Sequence, residues 1–200
     1  MAIKHLVFDL GNVLVEFKPA HYLRRINIPE ADIDTLVNII FKDKRWNDFD
    51  RGTITIEEYT LALKQENPQY VKSIEEIFNG NWPEKFLIPK NASIDFLKDY
   101  SSEYDIYVLS NVSKYVLDYV KTLGFFHHVS GGTYSYEVGM CKPETEIYKT
   151  FFAENHLQPS ECLFLDDLPA NIEEACKNGM HGIVFHDNIE EVKDFLKVMN

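Results

Sequence analysis

Four short stretches place reactive side chains at the ends of apolar runs. "LVFDLGN" reaches Asp9 directly after Leu6, Val7 and Phe8. "YVLSN" ends in Ser110 and Asn111, "LFLDD" ends in the pair Asp166–Asp167, and "GMCKPE" sets Lys142 just before a proline. A carboxylate is rarely buried without a partner, so acids in these places either escape to solvent or share a site. Ligands of open parallel sheets bind beyond the carboxyl ends of the strands. If the three apolar runs are neighbouring strands, three carboxylates and a hydroxyl face one crevice. Like charges that close raise one another's pKa values. A hard divalent cation relieves the conflict, and Mg²⁺ suits because it takes few carboxylates and keeps waters for a phosphate. The helix that starts at Ser113 offers free backbone N–H groups as a phosphate seat, and Lys142 can add positive charge. Singly, each stretch also has an ordinary reading: a strand-end cap, a helix cap, a solvated strand end or a surface lysine. Together they favour a site.

The elements that must position these residues are visible in the second half of the chain. "YDIYVLSN" (104–111) reads as a buried strand. It is followed by a helix capped by Ser113 and stopped by Gly124, with Val116, Leu117, Val120 and Leu123 at helical spacing. "ECLFLDD" (161–167) is a strand ending in acid, and "PANIEEACKNG" is a helix with a terminal glycine. "HGIVFH" (181–186) is again a strand, and "NIEEVKDFLKVM" is a helix capped by Asn188. Strands alternating with helices of this length predict β-α-β units, hence an α/β fold with a Rossmann-like parallel sheet. The region from Glu16 to Ile88 is different. It carries helical patterns such as "ADIDTLVNIIF" and "TIEEYTLALKQE", broken by Pro29, Gly52, Pro68 and Pro83. The expected organisation is a core of residues 1–15 and 89–200, with a helical unit of residues 16–88 inserted after the first strand.

Composition narrows the function classes. The formal net charge of −12 argues against a nucleic-acid or anionic-membrane surface. It leaves room for an anionic small substrate held by a few local cations. No apolar run approaches the ~18 residues of a membrane helix, and the start lacks the apolar segment of a signal peptide. Cys141, Cys162 and Cys176 are an odd set without C-x-x-C spacing, read as reduced thiols. A cytoplasmic location is the expectation. Oligomeric state carries no sequence signal.

With these motifs in order, the chain resembles the haloacid dehalogenase (HAD) superfamily over nearly its full length. "LVFDLGNVL" resembles the first motif, "YVLSN" the second, the "KP" at 142–143 the third and "LFLDDLPANIEEA" the fourth. Residues 16–88 are similar to the helical C1-type cap that such proteins insert. The resemblance implies Asp9 as a nucleophile that forms an aspartyl-phosphate. It implies Mg²⁺ bound by Asp9, the Gly11 carbonyl and Asp167, with Asp166 supporting. Ser110 and Asn111 would hold phosphate oxygens, and Lys142 would neutralise nucleophile and phosphate. Asn171 stands where many relatives carry an acid.

The departure is Gly11. Phosphatases that the chain resembles usually read D-x-D, and the second acid protonates the leaving group and then activates water. The D-L-G-N pattern is similar to a branch of sugar-phosphatase-like members. Proton transfer of this kind is worth roughly 10²–10⁴ in rate. Glu16 and His21 are candidates to replace that acid, and a sugar 1-phosphate, whose leaving oxygen is less basic, is the expected preference over a 6-phosphate. In "KDKRWNDFDRG", Arg45, Trp46 and Arg51 are candidate substrate contacts against ordinary surface and packing roles. His127–His128 reads as a loop pair without a ligand role. The reading is a Mg²⁺-dependent phosphatase of a small phosphorylated metabolite. Its alternatives are a dehalogenase with the same aspartate, against which the acidic pair speaks, and a binding or regulatory protein that has lost turnover.

Overall fold

The first strand explains the layering. In β1 (His5–Phe8) residues Leu6, Val7 and Phe8 are all buried, as a central strand covered on both faces requires. Leu6 and Phe8 pack to one side, in a core that continues into the helical region. Val7 packs to the other with Leu109, Tyr148, Phe164 and Ile172. The computed structural model describes residues 2–199. The remaining strands are β2 (Val15–Glu16), β3 (Ile88–Pro89), β4 (Asp105–Ser110), β5 (Val129–Tyr134), β6 (Cys162–Asp166) and β7 (His181–Val184). With β1, four of them form one parallel sheet in the order β5-β4-β1-β6-β7. The fold is therefore the expected α/β type.

Because β1 lies between β4 and β6, it is the point where the strand order reverses. Phe8 stands level with Val108 on one side and Leu165 on the other. The Asp9 N–H continues the ladder to the Leu165 carbonyl at 2.9 Å. The acid-tipped ends of the three strands thus share one edge, which is what the sequence alone could pose only as a condition.

Helices fill the crossovers. Between β2 and β3 run α1 (Pro19–Arg25), α2 (Glu30–Leu36) with a π-turn at Val37–Phe41, α3 (Lys44–Arg51), α4 (Ile56–Glu66), α5 (Val71–Ile77) and α6 (Trp82–Phe86). The chain leaves and re-enters this region through the antiparallel pairing of β2 with β3, Val15 against Pro89 and Glu16 against Ile88. Then follow α7 (Asn91–Tyr100), α8 (Lys114–Val120), α9 (Ser135–Val138), α10 (Thr145–Asn155), α11 (Pro169–Lys177) and α12 (Ile189–Met199).

Three local features differ from the sequence reading. α8 ends at Val120, before Gly124, which belongs to the 3₁₀ segment Gly124–His128. α7 and β5 are additional to the elements read from the sequence. β5 contains Gly131–Gly132, residues that weaken an isolated strand. Here they are needed: a Cβ on Gly132 would lie 2.5 Å from the Val108 carbonyl oxygen and 2.8 Å from the Tyr134 hydroxyl. Packing on β4 selects a sequence that local propensity disfavours.

Candidate active site

At the tip of β1, Asp9 is buried at 8 % exposure. Lys142 is buried too, and its ammonium is shared among three acceptors. Nζ lies 2.9 Å from Asp9 Oδ1 and 2.6 Å from Asp166 Oδ2, and donates to the Leu109 carbonyl at 2.8 Å. The Phe164 ring lies under it at 5.1 Å. A lysine far from β1 in sequence is held there by Asn111. The Lys142 backbone N–H donates to Asn111 Oδ1 at 2.7 Å, and Asn111 Nδ2 donates back to the Lys142 carbonyl at 2.9 Å. The Asn111 side-chain amide is thereby committed to positioning the lysine, while the residue still lines the cavity.

Charge balance explains the titration of this cluster. Burial pushes the Asp9 carboxyl up to about 6; Lys142 opposes that, Asp166 adds to it, and a hydrogen bond from Ser110 works against it. Burial works against the Lys142 charge, but the two carboxylates outweigh it and its pKa rises. Asp166, fully buried, is saturated with donors. Besides Lys142 it accepts from Asn171 Nδ2 at 2.9 and 3.0 Å and from the Leu168 N–H at 2.8 Å. Asn171, in the place of the acid that the resemblance implies, therefore fixes Asp166. Asp167 is less enclosed and accepts from Asn12 Nδ2 at 2.9 Å.

One oxygen from each of Asp9, Asp166 and Asp167 lies within 4.8 Å of the others. An octahedral Mg²⁺ with oxygens at about 2.1 Å needs ligand separations of about 3–4.2 Å, so this donor set fits a hard cation. The buried Asp9 Oδ1 has an ion-pair contact with Lys142 but no aligned hydrogen bond, a second mark of an unsatisfied anionic oxygen.

These acids open on a cavity of about 270 Å³ lined by Asp9, Gly11, Asn12, Asn111, Lys142 and Asp167 from the sheet edge. From the helical region it receives Phe17, Phe41, Trp46 and Asp50. A smaller hollow beside it brings in Ser110. A larger groove of about 430 Å³, lined by residues such as Asn81, Glu84, Tyr115 and Asp118, has none of these groups. The chemistry therefore concentrates in the smaller space.

The helical-region candidates separate. Trp46 reaches the cavity, packed among Phe17, Phe41 and Phe49. Arg45 is not brought there: its guanidinium pairs with Asp43 at 2.6 Å and Glu66 at 2.7 Å. Arg51 pairs with Glu144 across to the core and does not line the cavity. Glu16 pairs with Lys18 at 2.8 Å, and His21 is exposed on α1; neither lines the cavity. His128 shares a hydrogen bond with Ser101 at 2.9 Å.

Asp50 is the residue that sequence reasoning missed. It lies one turn beyond Trp46 on α3, so an acid follows the apolar face made by Trp46 and Phe49. That break in the apolar face was the available signal.

Comparison with known proteins follows the same lines. Residues 3–178 match the family described as haloacid dehalogenase-like hydrolase. The D-ribitol-5-phosphate phosphatase of Bacteroides thetaiotaomicron is 26% identical over 178 residues, covering 85% of each chain. A HAD-like family hydrolase of Porphyromonas gingivalis superposes with a TM-score of 0.76 at 25% identity, covering 98% of this chain and 99% of its own. A HAD family enzyme of B. thetaiotaomicron, solved with magnesium and inorganic phosphate, gives a TM-score of 0.73 at 22% identity over 94% and 96% of the two chains.

Proposed function

We propose, because this chain belongs to the haloacid dehalogenase-like hydrolase family, that it hydrolyses the phosphate ester of a small phosphorylated metabolite through a phosphoryl group carried on Asp9. One observation carries the reading. A buried, incompletely satisfied aspartate faces a cavity beside a buried lysine and an acidic pair that can hold Mg²⁺. A relative named as a D-ribitol-5-phosphate phosphatase supports a sugar or polyol phosphate as the substrate class.

In this reading Asp9 Oδ attacks phosphorus while the ester oxygen leaves. Lys142 keeps the nucleophile ionised and, with Ser110 and the N–H groups near Asn111, offsets charge on the phosphoryl oxygens. Asp9, Asp167 and the Gly11 carbonyl, with Asp166 behind them, would hold Mg²⁺, which when bound would supply electrostatic stabilisation of that charge. The acidic cluster favours this over a dehalogenase, which has no phosphate charge to offset. A cytoplasmic setting accords with the three free thiols. No helix among the described residues is long and apolar enough to cross a membrane.

The test is hydrolysis of 4-nitrophenyl phosphate and of a panel of sugar and polyol phosphates in Mg²⁺. We expect activity that chelator removes and Mg²⁺ restores. Undiminished turnover in chelator overturns the metal role, and no turnover on any ester favours a binding protein. Within the panel, Gly11 alone predicts that 1-phosphates outrank 6-phosphates of the same sugar.

We also propose that residues 16–88 act as a cap that selects substrates. Trp46→Ala should reorder the panel while leaving aryl phosphate turnover within about tenfold. It should also destabilise by about 3–5 kcal/mol, as loss of a packed tryptophan does. Arg45→Ala removes only a partly exposed ion pair, worth about 1 kcal/mol or less, and should leave the ranking unchanged. Panel assays with melting curves check both. An unchanged order in Trp46→Ala would return that residue to a packing role.

A further inference from the structure

Protonation of the leaving oxygen has no agent at position 11, where the side chain is absent. The cavity supplies another. Asp50 lines it with Asp9, Gly11, Lys142 and Asp167, and also lines the adjoining hollow with Ser110. Neighbouring groups surround it. The Asp50 carbonyl accepts from the buried Ser135 Oγ at 2.6 Å, while Arg51, the next residue, pairs with Glu144. The Ser113 N–H, in the loop after β4, and the Trp46 side chain both favour the charged form of the Asp50 carboxyl. Of the other lining acids, Asp9 is the nucleophile of the proposed reaction, and Asp167 accepts from Asn12 within the acidic cluster.

We propose that Asp50 is the catalytic acid and base of this site, replacing the carboxylate missing at position 11. This rests on the phosphatase reading above. As the bond between phosphorus and the ester oxygen breaks and the bond to Asp9 Oδ forms, the Asp50 carboxyl gives its proton to the departing oxygen. The Asp50 carboxylate then takes a proton from the water that attacks phosphorus. The Asp9–phosphorus bond breaks, inorganic phosphate leaves, and Asp50 is protonated again. Its surroundings suit the first step: burial raises its pKa well above the ordinary carboxylate value, the two donors oppose this, and Asp9 adds to it. Arg51, the nearest cation in sequence, is turned to Glu144, and Lys142 is saturated by Asp9, Asp166 and Leu109. With a proton available from Asp50, the advantage of 1-phosphates predicted from Gly11 alone disappears.

The experiment uses Asp50→Asn, which keeps size and acceptor capacity but cannot exchange the proton. Its substrates are 4-nitrophenyl phosphate and the best alkyl phosphate of the panel. On the alkyl ester, kcat/KM should fall by about 10²–10⁴. On the aryl ester, whose oxygen leaves without a proton, the first turnover should stay within about tenfold of wild type. Later turnovers should slow, with a burst of nitrophenolate equal to the enzyme and a phosphoryl group trapped on Asp9. Equal loss on both esters in the first turnover, or no loss on either, overturns the assignment. Asp50→Ser repeats the comparison. If both variants melt well below wild type, Asp50 is a strut and the assignment fails. If wild type neither releases nitrophenolate nor traps phosphate on Asp9, the phosphatase reading itself fails and takes this one with it.

Discussion

Asp9→Asn should abolish turnover by at least about 10³-fold, since loss of a covalent nucleophile removes the step itself. The fold should not suffer; it should gain. In the wild-type protein the Asp9 carboxyl, ordinarily near 3.8, is raised to about 6 by burial, against the pull of Lys142. A group raised in the folded state contributes its stability below the unfolded value and loses it as pH rises through the folded one. At pH 7.5 without metal, wild type thus holds an ionised Asp9 at a cost of about 1–3 kcal/mol, taking 1.36 kcal/mol per unit. Asn has no such cost. In chelator, Asp9→Asn should therefore unfold at higher denaturant than wild type at pH 7.5, and the difference should shrink as pH falls towards 4. A variant that keeps more than about one-hundredth of the activity removes Asp9 from the role of nucleophile. One that is less stable at pH 7.5 contradicts the charge balance described for the cluster.

Lys142→Met is the second large effect, with the opposite sign on stability. Lys142 is 5 % exposed, and its ammonium sits between Asp9 and Asp166. Removing one partner of a buried ion pair costs about 3–5 kcal/mol, because the remaining charge loses its compensation. Here two carboxylates are stranded. We expect a loss at the upper end of that range in chelator, and activity down by at least about 10² as phosphoryl charge goes unanswered. Adding Asp9→Asn to Lys142→Met should recover part of the stability. Asp166 keeps its bonds from Asn171 and the Leu168 N–H, so only one stranded charge then needs relief. A double-mutant cycle in denaturant reads the coupling between the two positions. Strictly additive effects of the two substitutions would mean that Lys142 and Asp9 do not share charge, and a Lys142→Met protein as stable as wild type would refute the buried triad.

The amino-acid sequence by itself determined the α/β fold and the strands tipped by Asp9, Ser110 and Asp166–Asp167, which the structure brings to one edge. These are local signals: an apolar run of strand length followed at once by a polar residue is legible without knowing any neighbour. Tertiary structure decided what those residues touch. Asn111 looked like a phosphate ligand, yet its amide is spent on the Lys142 backbone 31 residues away. Arg45 looked like a substrate contact, but Glu66 and Asp43 claim it. β5 escaped notice because its paired glycines are poor strand formers, and only the close approach of Val108 and Tyr134 makes them the residues that fit. Asp50 escaped for the deepest reason. An acid on an amphipathic helix is ordinary in sequence, and the break it makes in the apolar face of α3 does not say what it meets. Its meaning comes from the β2–β3 ribbon that returns the helical region over the sheet edge, setting a carboxyl from one part of the chain in the cavity of another. Local periodicity cannot encode that juxtaposition, because burial and charge at a site are set by residues distant in sequence.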